Sequence, residues 1–264
     1  MAVPGRAVPE NAPEDLARSE LFAVDAYLRE FDATVADVDA EQGRVALRRT
    51  AFFPGGGGQP YDLGTLDWGA GPVPVTKVKR ESGRIWHWLD VPELPAAGTE
   101  LQGVLDWDRR HLTMRTHTAL HILCGVIWAD HKIPVTGGNM EPGKGRLDFP
   151  FESMSAEFGR EIEKRINEEI MAAREILVAF VGREVADEDH ALIRTAANLI
   201  PREIDPLRVI DIVGLDKQAD GGTHVLSTAE VGSVAVTGTE SKGKGNKRVR
   251  IEVRDAGGST PGPD

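Results

Sequence analysis

Of the 264 residues only Cys124 is a cysteine, so no disulfide can close within the chain and a reducing compartment is its natural setting. No stretch approaches the roughly 18 apolar residues needed to span a bilayer. The N-terminus, MAVPGRAVPENAPEDLARSE, has prolines and acids but no apolar segment of the secretory kind. A cytoplasmic protein with no membrane partner is expected. A surplus of positive charge is missing as well: the formal net charge is -11, which by itself argues against nonspecific binding of a polyanion. Two nucleotide-binding signatures also fail. No Lys-Ser/Thr follows the glycines at 55–58, and in GTESKGKG, residues 238–245, Gly245 stands where a magnesium-binding hydroxyl is required.

What is present is an ordinary globular composition, 41% hydrophobic and 28% charged, in a chain long enough for two domains. Residues 1–19 and 255–264 read as loose tails. Between 20 and 107 the signals are strand and turn: RVALRRTAFF ends at Pro54, VPVTKVKRE alternates, and in RIWHWLDV the residues Ile85, His87 and Leu89 face one way with Trp86 and Trp88 opposite. Gly and Pro clusters break these runs as a small antiparallel barrel requires. From 108 to 254 an α+β pattern takes over. A helix begins near 108, with Leu112, Thr116, Leu120, Leu123 and Ile127 at steps of three and four. A second spans SAEFGREIEKRINEEIMAAREI, where Phe158, Ile162, Ile166, Ile170 and Ala173 form one apolar stripe. GRLDFPF, LVAFVG, RVIDIV and SVAVTG read as strands.

The chemistry is carried by four short stretches. HTALH sets His117 and His121 at i and i+4 on one helix face, about 6 Å apart at Cβ, where they can clasp one metal ion. Thr118 occupies the place of the glutamate that a zincin peptidase needs. Cys124 is one turn further along an apolar stripe and reads as a buried structural thiol. DGGTHV supplies a third histidine, His224, after two glycines that let backbone approach closely. Three imidazoles with one carboxylate suit zinc. GGGGQP, with Gly55, Gly56, Gly57, Gly58 and Gln59, is either a flexible hairpin loop or bare backbone for a small ligand, with a carboxamide that donates and accepts at once. KGKGNKRVR is a basic run without an acid; such runs are commonly just a solvated face.

RTAFFPGGGGQPYDLG, WDRRHLTMRTHTALHIL, DGGTHV and TESKGKGNKRVRI occur in the order found in the freestanding alanyl-tRNA editing proteins (AlaX-like), which the chain resembles over about residues 22–253. The same elements recur in the editing domain of alanyl-tRNA synthetase. The resemblance implies an α+β chain: an N-terminal translation-factor-like β-barrel carrying the glycine-rich loop, then an editing domain of the threonyl/alanyl-tRNA synthetase second-additional-domain type. It implies hydrolysis in trans of the ester joining serine, or glycine, to tRNA(Ala). The implied Zn2+ site uses a helical histidine pair, then a cysteine and a histidine spaced C-x-x-x-H, which maps onto His117, His121 and His224. Asp220 stands at the cysteine position and is read as a fourth ligand, an outer group or a base; Leu120 replaces a threonine common before the second histidine. Gln59 and the glycine backbone are implied as contacts to the amino acid, with Thr223 adding a hydroxyl. Arg109, Arg110, Arg115, Lys242, Lys244, Lys247 and Arg248 are the implied phosphate contacts near the acceptor end.

Three other readings compete. The chain could be a tRNA-binding module of this fold without catalysis, which the Asp220 departure allows. It could be a metallohydrolase of small esters. Or its histidines could be merely structural.

Overall fold

A computed structural model describes residues 9, 11–69, 71–189, 192–195, 201–202, 204–241 and 245–255. They divide into two compact units. The first runs to Leu112 and takes in Gly221–Thr223; the second holds Thr113–Asp220 and the chain from His224. The border lies inside a continuous helix rather than at residue 107, because helical periodicity marks an element and not the core to which each turn belongs. Residues 14–19, expected in a loose tail, form α1 (Glu14–Ser19), with acids in its first turn and Arg18 in its last, the arrangement that suits the helix dipole. It leads into α2 (Leu21–Val24), all four residues of which are buried. Residues 256–264 of the second expected tail lie outside the described residues. Among those described, no helix is long and apolar enough to cross a membrane.

The first unit is a closed barrel. Its strands are β1 (Glu30–Asp39), β2 (Arg44–Leu47), β3 (Gly64–Asp67), β4 (Val73–Glu81), β5 (Arg84–Leu89) and β6 (Glu100–Leu105), in the order β1-β2-β5-β4-β3-β6. Every neighbouring pair is antiparallel. Alternation fixes what points inward: Phe31, Ala33 and Val35 of β1, and Ile85 and Leu89 of β5, enter one core with Val45, Leu66 and Val78. RVALRRTAFF is not one strand. β2 stops at Leu47 and Ala51, Phe52 and Phe53 enter the core as irregular chain. Thr50 is the reason: its hydroxyl accepts from the Phe52 amide at 3.1 Å, a local bond that competes with the ladder.

The same hydroxyl lies 2.9 Å from Nε2 of His87, whose Nδ1 lies 3.3 Å from the Val45 carbonyl. With Nδ1–H donating to Val45 and the Thr50 O–H donating to Nε2, the neutral ring is satisfied and a second proton has no acceptor. Burial pushes the His87 pKa down to about 4. The folded value therefore lies below the unfolded one, about 6.5, so the stabilisation is present above pH 6.5 and is lost as pH falls toward 4. Urea unfolding of the wild type should lose on the order of 2 kcal/mol more between pH 7 and pH 4.5 than unfolding of His87→Phe. Equal losses in the two proteins would show that His87 does not contribute.

A 25-residue helix, α3 (Trp107–His131), follows the barrel. Asp106 caps it by accepting from the Arg109 amide at 3.1 Å. The spacing predicts an apolar stripe, but from Thr113 to Ile127 every residue except Arg115 is buried, because this stretch is apolar or small on all faces.

The second unit has two antiparallel sheets. One has the order β12-β13-β8-β7, from β7 (Gly137–Glu141), β8 (Lys144–Phe149), β12 (Ser233–Ser241) and β13 (Lys247–Arg254). The other is β11-β10-β9, from β9 (Ile176–Val181), β10 (Leu207–Ile212) and β11 (Asp216–Ala219). α4 (Ala156–Met171) is capped by Ser155, which accepts from the Phe158 amide; a short α5 (Arg183–Glu188) follows β9. α4 buries Ile162, Ile166 and Ile170, and its Asn167 exchanges two hydrogen bonds with the Val234 backbone of β12, at 2.8 and 3.0 Å. Ala173, expected on the apolar stripe, lies beyond the helix end, exposed, with φ 49°.

Candidate metal centre

Four side chains of the second unit converge. His117 and His121 lie one turn apart on α3, with ring centroids 4.9 Å apart and planes nearly perpendicular. β11 ends at Ala219, and the next residue, Asp220, is clamped to β10: its amide donates to the Arg208 carbonyl and its carbonyl accepts from Arg208 Nη1, both at 3.0 Å. His224 follows four residues on, with its ring 4.2 Å from His117 and 4.5 Å from His121. All three Nε2 atoms face the Asp220 carboxylate, at 3.6 Å from His117, 3.9 Å from His121 and 3.3 Å from His224. One potential ligand atom from each of the four lies within 4.8 Å of the others. Cys124, although buried, is not part of this group; burial raises its thiol pKa, which keeps it protonated.

The Nδ1 atoms face outward to oriented partners. His224 Nδ1 lies 3.1 Å from the Thr118 hydroxyl. His121 Nδ1 lies 3.1 Å from Gln218 Nε2 and 3.5 Å from Asp216 Oδ2. Sequence reasoning passed over Thr118, Asp216 and Gln218. One signal was readable: in DKQAD the polar residues Asp216, Gln218 and Asp220 recur at every second position, one face of a strand.

Burial and the neighbouring His117 and His121 push the His224 pKa well below its usual value, leaving a neutral imidazole with a lone pair to give. Burial opposes ionisation of Asp220, but His117, His224 and His121 around it hold its carboxyl well below the usual range. Burial also works against a charge on His121, and there the Asp216 contact and the Asp220 charge prevail and raise its pKa. Neutral imidazole nitrogens beside an ionised carboxylate, with backing partners on the outer ring atoms, are the donor set of a transition-metal site. The residues fit a metal ion.

The first unit holds Gln59 and Thr223 together. Gln59 Nε2 donates to the Thr223 hydroxyl at 2.9 Å, and the Thr223 amide donates to Gln59 Oε1 at 3.0 Å. Both side chains are buried, so in this geometry the carboxamide holds the DGGTH segment. The glycine loop is an ordered turn, not slack chain. Gly55, Gly56, Gly57 and Gly58 all have positive φ, from 58° to 141°, and Gly56 and Gln59 exchange backbone hydrogen bonds at 2.9 and 3.0 Å. Conformation is what demands glycine here.

The basic residues separate into two classes. Arg110 is fully buried against Asp62 and the carbonyls of Ala26 and Ala51. Arg115 is engaged by the carbonyls of Val231 and Arg254 and by Asp255. Arg248 is buried in a two-pronged bond to Asp148, at 2.7 and 2.8 Å. These three are corrections to the phosphate-contact expectation: their guanidinium donors serve carboxylates and carbonyls of the chain itself. Arg109 donates to the Tyr61 carbonyl at 3.2 Å and is half-buried. Lys247 reaches Ser241 at 3.3 Å in an exposed contact. Lys242 and Lys244 lie outside the described residues.

Comparison with known proteins decides the family. Residues 18–109 match the family described as tRNA synthetases class II (A), and residues 207–250 match the threonyl and alanyl tRNA synthetase second additional domain. The chain is 37% identical to the alanyl-tRNA editing protein AlaX-M of Saccharolobus solfataricus over 237 residues, 89% of this chain and 98% of the relative. It belongs to the alanyl-tRNA editing family. The AlaX-M of Methanosarcina acetivorans is 34% identical, with the same coverage of each chain. The alanine–tRNA ligase of Thermococcus kodakarensis is also 34% identical, over 89% of this chain but only 26% of the ligase. The helix bearing His117 and His121 lies outside both matched segments of this alanyl-tRNA editing family member, which places half of its metal centre on α3.

Proposed function

We propose that this protein deacylates mischarged tRNA(Ala) in trans, releasing serine and also glycine, with Zn2+ held by His117, His121, Asp220 and His224. The carrying observation is the convergence of three Nε2 atoms on the Asp220 carboxylate in a relative of proteins named for alanyl-tRNA editing. Zinc held there supplies Lewis-acid polarisation to an ester that is already activated. The chain's own residues do the rest. Thr118 and Asp216 face the outer nitrogens of His224 and His121 and orient the rings. Asp220 neutralises the positive field of the site, and as a carboxylate it is a harder ligand than the thiolate that the family resemblance leads one to expect there.

Gln59 and Thr223 form the hydrogen-bonded pair at which the amino acid's hydroxyl is recognised. Gln59 acts by setting the conformation of the segment that ends in His224, with which Thr223 shares a peptide bond. The backbone of Gly55–Gly58, open at Gly56 and Gly57 where an added Cβ would meet nothing within 4 Å, admits the small substrate. A site built to pair a hydroxyl rejects alanine, which leaves a polar group unpaired. Lys242, Lys244 and Lys247 are the phosphate contacts in this reading, made in the cytoplasm, and the barrel is of the translation-factor type.

Incubation with Ser-tRNA(Ala), Gly-tRNA(Ala) and Ala-tRNA(Ala) tests this directly. Serine or glycine should be released faster than alanine by about 100-fold or more, as hydroxyl-reading sites discriminate. Equal rates for all three would end the proposal.

A further inference from the structure

We infer that Asp216 is a positioning residue for His121. It holds the imidazole proton on Nδ1, so that Nε2 is kept as the ligand atom; the inference rests on the metal site proposed above. Asp216 opens β11 and its side chain is completely buried. Oδ2 lies 3.5 Å from His121 Nδ1. Gln218, two residues along the same strand face, donates its Nε2–H to that same oxygen at 2.6 Å and comes within 3.1 Å of Nδ1. Two nitrogens this close, both beside one carboxylate oxygen, are explained when both carry protons and both donate to it. The proton on Nδ1 leaves the lone pair on Nε2, the atom that faces Asp220.

The opposite oxygen is held too. Arg194 Nε lies 3.3 Å from Asp216 Oδ1. Its guanidinium stacks 4.4 Å above the Trp128 ring, and its Nη1 is buried with no hydrogen-bond partner among the described residues. The Arg194 carbonyl accepts from the Val135 amide at 2.8 Å, which anchors the backbone. A buried carboxylate needs such a counter-charge to stay ionised. An ionised one accepts from both sides, at Arg194 and at His121.

A separate observation shows that the helix is shaped for this contact. Gly125 lies one turn after His121, on the face that carries His117 and His121. A Cβ there would stand 2.9 Å from the Asp216 Cβ and 2.9 Å from the Leu215 Cγ. Only glycine lets Asp216 come in beneath the His121 ring.

Asp216→Asn separates this role from a purely structural ion pair. The Asn carboxamide would turn its oxygen to Arg194 and its NH2 to His121, which must then accept at Nδ1 and carry its proton on Nε2; the same exchange behind a catalytic histidine imposes the wrong tautomer. Long-range 1H–15N spectra of the metal-free proteins should show His121 as the Nδ1–H tautomer in the wild type and shifted toward Nε2–H in Asp216→Asn. Zinc affinity, read by chelator competition on proteins whose fold is checked by circular dichroism, should fall by about 10–100-fold. Gly125→Ala, which displaces Asp216 without changing a polar group, should weaken zinc in the same direction and covers the case in which Asp216→Asn does not fold. An unchanged tautomer with zinc affinity within about twofold of wild type would overturn the inference. A wild type that binds no zinc would instead overturn the metal site, and the tautomer spectra would still decide whether Asp216 holds His121.

Discussion

Replacing His224 by alanine is expected to empty the metal centre and to lower deacylation of Ser-tRNA(Ala) by more than about 100-fold, since changes to groups merely behind a ligand already cost 10–100-fold. The imidazole is the shortest contact to Asp220, at 3.3 Å, and its ring lies against both of the others. Its loss leaves a buried carboxylate facing two histidines and leaves the Thr118 hydroxyl without its ring partner. Three donors spaced for four ligands hold a divalent cation poorly. Asp220→Cys is expected to go the other way. A thiolate is a softer ligand that suits zinc, and the backbone of residue 220 stays clamped by Arg208 whatever its side chain. Metal content by atomic absorption, measured beside turnover, reads both variants. Full turnover in His224→Ala would return the histidines to a structural role.

The second large effect is on stability. Arg110→Met should destabilise the protein by about 3–5 kcal/mol, the cost of leaving a buried charge without its partner. Arg110 and Asp62 are both essentially inaccessible. The guanidinium meets Asp62 through Nε at 3.0 and 3.1 Å and binds the Ala26 carbonyl at 2.8 Å and the Ala51 carbonyl at 2.6 Å. Asp62 in turn accepts from the Phe53 amide at 2.6 Å. This one cation joins the first turns of α3 to the chain around the glycine loop. The double change Arg110→Met/Asp62→Leu should cost less than the sum of the two single changes, because the second removes the orphaned charge. Urea unfolding measures each. A single-variant loss under about 1 kcal/mol would contradict this account of the pair. Where Arg110→Met remains folded, its affinity for tRNA should match the wild type, since Arg110 has no donor facing solvent.

The helical pair at His117 and His121 and the cap at Ser155 could be read from neighbouring residues, because a helix repeats within a few positions. The inward face of β5 was legible for the same reason, through the two-residue period of a strand. The irregular run through Ala51–Phe53 was not, since β-rich composition does not reveal that Thr50 turns the chain. Periodicity also misjudged α3. A stripe predicts one buried face, but how many faces are covered depends on how much of the fold surrounds the helix.

The basic residues show where local reading ends. Arg110, Arg115 and Arg248 look alike as sequence, and each is claimed by an acid 48, 140 or 100 residues away. Asp216 is separated from His121 by most of the second unit's chain, yet it lies 3.5 Å behind the ring. The sequence by itself determined residue types and short-range spacing: two histidines one helical turn apart, an aspartate four residues before a third, and glycines where the backbone must take positive φ. Only the tertiary structure decided which charges face inward, which carboxylate backs which imidazole, and that all three Nε2 atoms point at Asp220. Periodicity arises from contacts between near neighbours along the chain, whereas a buried ion pair is chosen by whatever distant segment the fold packs against it.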